Sequence, residues 1–374
     1  PQAEPRVLVR RAFLSLTGLP PTFAELNEWE SRITGPVQGQ LNESGFAAML
    51  DDLLSRPAYA EHWARHWLDV VRFGQSNGYE RDGYKPYSWR YRDYVVQSFL
   101  QDKPWDRFLL EQLAGDELPD SSADARTATG FYRVGVWDDE ADDRRQAEFD
   151  DLDDVLVTVG ASMLGLTIGC ARCHDHKFDP LPQDDYYRML SFFRGIRRYE
   201  NPEEKAECAT VLPLEDAQHV RQALQLPAGQ QPHPLTWTLA VREAGREPPE
   251  TRVLVRGQAA NPGSAVKPAF PEVLCRTETD AADRLLLSDM QSLSPLADLF
   301  PSSGRRLAFA RWLIRKDHPL TARVAANRVW HFHFGRGLVG STADFGHAGE
   351  TPVNQPLLDW LAIDFVEHGW SLKH

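Results

Sequence analysis

Apolar residues recur every three or four positions through most of the first two hundred residues, in segments closed by proline or glycine. A chain patterned this way is committed to packed amphipathic helices. Thr22 stands where a cap belongs before "TFAELNEWESRI", with Leu26 and Trp29 at helical spacing. "GFAAMLDDLLSRP" puts Phe46, Met49, Leu50, Leu53 and Leu54 on one stripe and is expected to stop at Pro57. "EHWARHWLDVVRF", "SWRYRDYVVQSFL" and "WDRFLLEQLAG" follow, the last behind Pro104 at a first-turn position. A longer helix is expected from about Arg145 to Leu164, and "DDYYRMLSFFRGI" supplies another beyond the breaks at Pro180 and Pro182.

From about residue 200 the texture changes. Prolines become frequent, and "LTWTLAVRE" and "TRVLVRG" alternate as paired strands would, around the "AGREPPE" connection. Helical pattern returns in "GRRLAFARWLIR", "HPLTARVAANRVWHFHF" and "QPLLDWLAIDFVEHG". The expected fold is therefore mainly α with a β-rich insertion (α+β): a helical region over 1–200, the insertion over 201–300 and a helical C-terminal region over 301–374.

Bulk properties narrow the function. Hydrophobic residues at 42% and charged residues at 25% are ordinary globular values, which sets aside disordered and fibrous classes. No apolar run approaches the ~18 residues that a membrane span needs. A net charge of −13 argues against a nucleic-acid partner, because phosphate contacts need clustered Lys and Arg. It suits either plain solubility or docking to a partner with a basic surface.

The chemistry concentrates in "GCARCHDHKFDP". The chain has four cysteines, Cys170, Cys173, Cys208 and Cys275. A structural zinc site usually needs two ligand pairs, and Cys208 and Cys275 bring no neighbouring Cys or His. A thioredoxin-like dithiol should follow a strand, whereas Cys170 follows the helix-like approach "VLVTVGASMLGLTIG". Cys-x-x-Cys-His is also the pattern of haem c attachment, in which both thiols bond the vinyl groups and the histidine ligates iron. On that reading Cys170 and Cys173 are the anchors and His174 the proximal ligand, its other ring nitrogen donating to a backbone or carboxylate oxygen. The competing reading is two buried thiols and a satisfied histidine. Haem attachment of this type takes place outside the cytoplasm, which makes Cys208–Cys275 a candidate disulfide and the expected location periplasmic or extracellular.

The chain resembles the planctomycete cytochrome c-like proteins, which pair two domains of unknown function. The resemblance rests on "RRAFLSLTGLPPT", "RHWLDVVRFGQSNGYE", "GLTIGCARCHDHKFDPLPQDDYY" and "VLVRGQAANPGS" in the first part. In the second it rests on "HPLTARVAANRVWHFHFGRGLV" and "DFGHAGETP". It implies an exported, haem-bearing protein of electron transfer and supplies no established catalytic activity. Such proteins usually carry a further N-terminal cytochrome-like module and continue past "GWSLKH", so this chain is expected to be a segment or a processed form.

Iron held by His174 needs either a sixth ligand, for electron transfer, or an open face, for chemistry on small molecules. His66 matches a histidine of the family pattern and is the favoured distal candidate. His62 sits one turn away, where the family more often has arginine. His331 and His333 are further options, and His176 lies too close to His174. Met189 is a weaker thioether alternative and Met163 another, each on a helical stripe where methionine usually fills a core.

Between Asp138 and Asp154 stand ten carboxylates and two arginines. Asp150, Asp151, Asp153 and Asp154 are candidate calcium ligands, though the spacing of an EF-hand and its glycine are missing and a solvated acidic face is the plainer reading. Three functions remain open. The first is a one-haem electron carrier serving a basic redox partner or a multi-subunit assembly. The second is a haem enzyme with an open distal site acting on peroxide or another small oxidant. The third is a haem-free structural or carbohydrate-associated scaffold.

Overall fold

A computed structural model describes residues 3–36, 40–80, 82–138, 140–197, 211–225, 235–275 and 287–374. Helix α1 (Pro5–Thr17) begins with proline, whose missing N–H would have had no partner there. Helix α2 (Phe23–Ile33) opens on a capping box: Thr22 Oγ1 accepts from Glu25 N, and the Glu25 carboxylate accepts from Thr22 N at 2.9 Å. Helix α3 (Glu43–Ser55) and helix α4 (Pro57–Val70) are separated by Arg56 alone. Pro57 thus starts a helix as well as stopping one. Helices α5 (Ser88–Leu100) and α6 (Trp105–Ala114) follow the sequence pattern. Helix α7 (Ala123–Ala128) was not expected, because six residues are too few to carry an apolar stripe.

Helix α8 (Arg144–Val159) runs into a π-helical turn, Gly160–Leu164, and stops at Gly165, whose φ of 61° lies in the left-handed region. The long helix expected here is therefore regular for most of its length and widened at its end. Helix α9 (Gln183–Leu190) follows.

In the middle stretch the β content is small among the described residues. Strand β1 (Val211–Pro213) leads into the unexpected helix α10 (Ala217–Gln225) and pairs antiparallel with β2 (Trp237–Leu239). Strand β3 (Thr251–Leu254) pairs antiparallel with β4 (Pro262–Val266) across a bulge. The two expected strands are thus both present but not paired with each other. Pro248 and Pro249 lack ladder donors, whereas Arg256 (φ 56°) and Gly257 (φ 70°) make the tight left-handed turn that returns β3 onto β4.

Helices α11 (Arg305–Leu313), α12 (Thr321–Phe334) and α13 (Gln355–Glu367) complete the chain. All three stretches share one apolar core, running from Val9 to Trp370. In the first stretch Trp67 meets Trp105 and Phe108 edge-on, each at 5.1 Å between ring centres. The middle and last stretches join where Phe270 stacks on Trp312 at 4.8 Å. Such offset and edge contacts are the favoured aromatic geometries.

A buried ionic hub ties the same regions together. Arg306, 0% exposed, bonds the Asp116 carboxylate through two nitrogens at 2.7 and 2.8 Å, and Glu243 at 2.9 Å. Its guanidinium also lies 3.0 Å from Glu117, whose other oxygen accepts from Leu307 N at 2.7 Å. Burial, together with the charges of Glu243 and Asp116, raises the Glu117 carboxyl from its ordinary 4.5 to about 8, against the opposing pull of Arg306. A raised carboxyl holds its proton in the folded state after the unfolded chain has lost it. Its stabilisation is therefore full below about 4.5 and lost as pH rises through about 8. Urea midpoints should fall across that window, and Glu117→Gln should flatten the fall. Equal slopes in the two proteins would exclude Glu117 as the source.

Candidate functional site

The two thiols are brought out by the local helix type. Ile168–Arg172 is a 3₁₀ turn, in which residues three apart stand above one another. Ile168 and Ala171 point into the core, and Cys170 and Cys173 emerge together on the exposed side. Neither thiol is in a disulfide. Arg172 fixes the turn from beneath: it bonds Asp150 and Asp153, and its carbonyl accepts from Gln183 Nε2 and Tyr187 Oη, both at 2.9 Å.

His174 is exposed, and its Nδ1 lies 2.7 Å from the carbonyl oxygen of Asp175. A carbonyl can only accept, so Nδ1 carries the proton and Nε2 of the neutral ring presents a free lone pair. His176, two residues on, has the opposite tautomer. It is buried, its Nδ1 accepts from Asp179 N at 2.9 Å and Phe178 N at 3.3 Å, and its Nε2 donates to Thr167 O at 3.1 Å. One histidine of "HDH" is thus free to ligate, and the other pins the loop.

The rest of "DHKFDP" docks the C-terminal region. The buried Asp179 carboxylate accepts from His347 N at 2.6 Å, and the His347 ring lies 3.3 Å from the same oxygen. Phe345 N donates to Gly165 O at 2.7 Å. On the other side Arg328 donates to Ser162 O at 2.6 Å and Ala161 O at 3.1 Å, the unpaired carbonyls where the π turn ends. Burial brings the Arg328 guanidinium down to about 10. The segments on either side of the turn that carries Cys170 are therefore held by side chains and backbone from residues 328–347. Sequence reading assigned no role to Arg328, Phe345 or His347, although "ANRVW" and "DFGHAGETP" stood out as motifs.

Gly346 shows how close that junction is. A Cβ there would lie 2.3 Å from Asp179 Oδ2 and 2.5 Å from Oδ1. Gly346→Ala should push the carboxylate off His347 N and lower stability by about 1–3 kcal/mol, read as a shift in the urea midpoint. A change within about 0.5 kcal/mol, the range of an ordinary surface substitution, would contradict the docking role.

Beside the motif lies a cleft of about 510 Å³, lined by Asp175, His176, Asp179, Leu181, Glu272 and Val273 among others. Exposed apolar side chains stand on the neighbouring segments: Val157, packed against Gly169, and Phe178, Val255 and Val273, the last lining the cleft.

The other candidate residues lie elsewhere. His66 stacks on Phe332 of α12 at 3.7 Å and neighbours His62 and Trp63, so none of its ring partners belongs to the Cys-x-x-Cys-His segment. Burial, with His62 and Arg65 adding positive charge, lowers its imidazole to about 4. His333 meets Ser15 at 2.7 Å and packs against Trp63, and His331 packs against Phe332. Met163 and Met189 are core residues, 2% and 1% exposed. Asp150 and Asp153 converge on Arg172, and Asp154 on Arg72. Asp151 lines a small cavity with Trp137 and Ile196. Cys275 is half-buried, and Cys208 lies outside the described residues, as does any pairing between them.

A family model described as PSCyt2, protein of unknown function (DUF1549), matches residues 1–198. A second, described as PSD1, protein of unknown function (DUF1553), matches residues 305–374. No curated protein matches the chain, and no solved structure does.

Proposed function

The chain belongs to the PSCyt2 family, and from that premise we propose that it is an exported c-type cytochrome module. It holds one covalent haem and passes electrons singly, to a basic-surfaced partner or within a larger assembly. The observation that carries this reading is the hydrogen bond from His174 Nδ1 to Asp175 O beside two exposed thiols. It leaves Nε2 as a lone pair in a fixed orientation, which is what a proximal ligand requires.

On this reading Cys170 and Cys173 would hold the porphyrin through thioethers, each S–H adding across a vinyl group with no net oxidation. His174 Nε2 would ligate the iron, and the Asp175 carbonyl sets the plane of its ring. The exposed Val157, Phe178, Val255 and Val273 would offer apolar surface to a porphyrin edge. A bound iron porphyrin supplies the one-electron couple, and its exposure and the hydrogen bond to His174 tune the potential. The net charge of −13 favours encounter with a basic partner.

The test is covalent haem. Protein secreted in a host that matures c-type cytochromes is denatured, then examined by pyridine haemochrome spectrum and intact mass. One haem increment with a thioether-type spectrum is expected. Native mass with no pigment would overturn both this reading and the next.

The position of His66 favours a second reading. With His66 stacked on Phe332 it would not serve as a second ligand. A bound haem would keep a face open to water or a small oxidant, and the module would be a haem enzyme rather than a carrier. A low-spin, six-coordinate spectrum in both oxidation states would exclude it.

A further inference from the structure

We propose that Asp364, His368 and His374 form a surface site for a divalent first-row transition metal ion, Zn²⁺ above all, independent of the Cys-x-x-Cys-His segment. One ligand atom from each residue lies within 4.8 Å of the others. His368 Nδ1 donates to the Asp364 carbonyl at 2.9 Å, a proton that a metal ion would displace. The same Nδ1 is 3.3 Å from one Asp364 carboxylate oxygen, and His374 Nε2 is 3.2 Å from the other carboxylate oxygen. Two donors on one tetrahedral zinc, each at about 2.1 Å, stand roughly 3.4 Å apart. Both nitrogen–oxygen separations are already close to that edge.

The arrangement is built rather than incidental. Asp364 and His368 share one face at the end of α13. Gly369 and Trp370, with φ of 73° and 59°, then turn the chain back. Trp370 is 3% exposed, packs on Phe365 at 5.3 Å, and its carbonyl accepts from Trp105 N at 3.0 Å. Ser371 Oγ and Lys373 N both donate to the Asp102 carboxylate, and Lys373 Nζ donates to Leu100 O at 2.7 Å. His374 N donates to Ser371 Oγ at 3.0 Å. With its backbone held in this way, the His374 ring lies near-parallel to His368 at 3.9 Å with Nε2 toward the same carboxylate. A rotation of one exposed ring out of that stack brings both lone pairs onto one ion. Two imidazoles and one carboxylate suit Zn²⁺, Ni²⁺ or Cu²⁺ and are a poor match for Ca²⁺ or Mg²⁺, which prefer all-oxygen shells. Three protein ligands also leave a position for water.

The test is Zn²⁺ titration of the full chain by calorimetry, with Cys170→Ala/Cys173→Ala present so that thiolates do not compete. Co²⁺ substitution reports the ligand set. The expected result is one saturable site that Ca²⁺ does not fill, with a Co²⁺ spectrum free of thiolate charge transfer. His368→Ala and His374→Ala should each weaken it at least about 100-fold, while His219→Ala leaves it unchanged. No saturable binding up to about 1 mM Zn²⁺, or binding retained in either ligand variant, would overturn the site. The pair would then be two imidazoles sharing a carboxylate by hydrogen bonding alone.

Discussion

Arg306→Ala is expected to lower stability by about 3–5 kcal/mol, a large share of the roughly 5–15 kcal/mol that keeps a protein folded. The side chain is fully buried, and three carboxylates from two separate stretches converge on it. Asp116 and Glu117 follow helix α6, and Glu243 lies just past β2. Removing the guanidinium leaves those carboxylates facing one another in a space that water cannot readily fill. Arg306→Lys keeps the charge but loses the planar fork that bonds Asp116 through two nitrogens, so an intermediate loss is expected. Urea unfolding measures both. The control is Arg252→Ala, which breaks the exposed pair with Glu250 and should cost no more than about 1 kcal/mol. If Arg306→Ala shifted the midpoint no further than Arg252→Ala, the hub would not be what joins the stretches.

Cys170→Ala/Cys173→Ala is expected to abolish covalent pigment altogether while leaving the fold intact. Both side chains are exposed, so their removal deletes two anchors and little buried packing. Each single variant should retain one thioether and a shifted haemochrome band. His174→Ala should keep both thioethers and change the iron's spin state and potential. That split separates attachment from ligation. Pigment surviving denaturation in the double variant would sink the assignment of these anchors.

Much of the helical framework was legible because amphipathic period and capping chemistry are local. The Thr22–Glu25 box follows directly from side chains within one turn, and α5 follows from its apolar period although no side chain caps it. The strand partners were not legible. "LTWTLAVRE" and "TRVLVRG" show alternation, but which strand each one meets depends on Arg256 and Gly257 taking left-handed φ, which alternation does not encode. Within the candidate site, the Cys170, Cys173 and His174 set was readable from spacing alone. The burial of His176 and its opposite tautomer were not, because they depend on Thr167 and on the backbone of Asp179. The contact of Asp179 with His347 joins residues 168 positions apart, and no local signal announces a contact of that range. The stacking of His66 on Phe332 likewise depends on how α4 meets α12.

The holds on the Cys170–His174 turn bear on how it would respond to a change of charge. Arg172 ties it to Asp150 and Asp153, Gln183 and Tyr187 bond its backbone, and the Asp175 carbonyl keeps the imidazole plane. A mount restrained at so many points has little room to relax when one unit of charge arrives at or leaves Nε2. Were the proposed haem held there, the protein's inner reorganisation energy would be small, and the barrier to electron exchange would fall to the rearrangement of water at the exposed face.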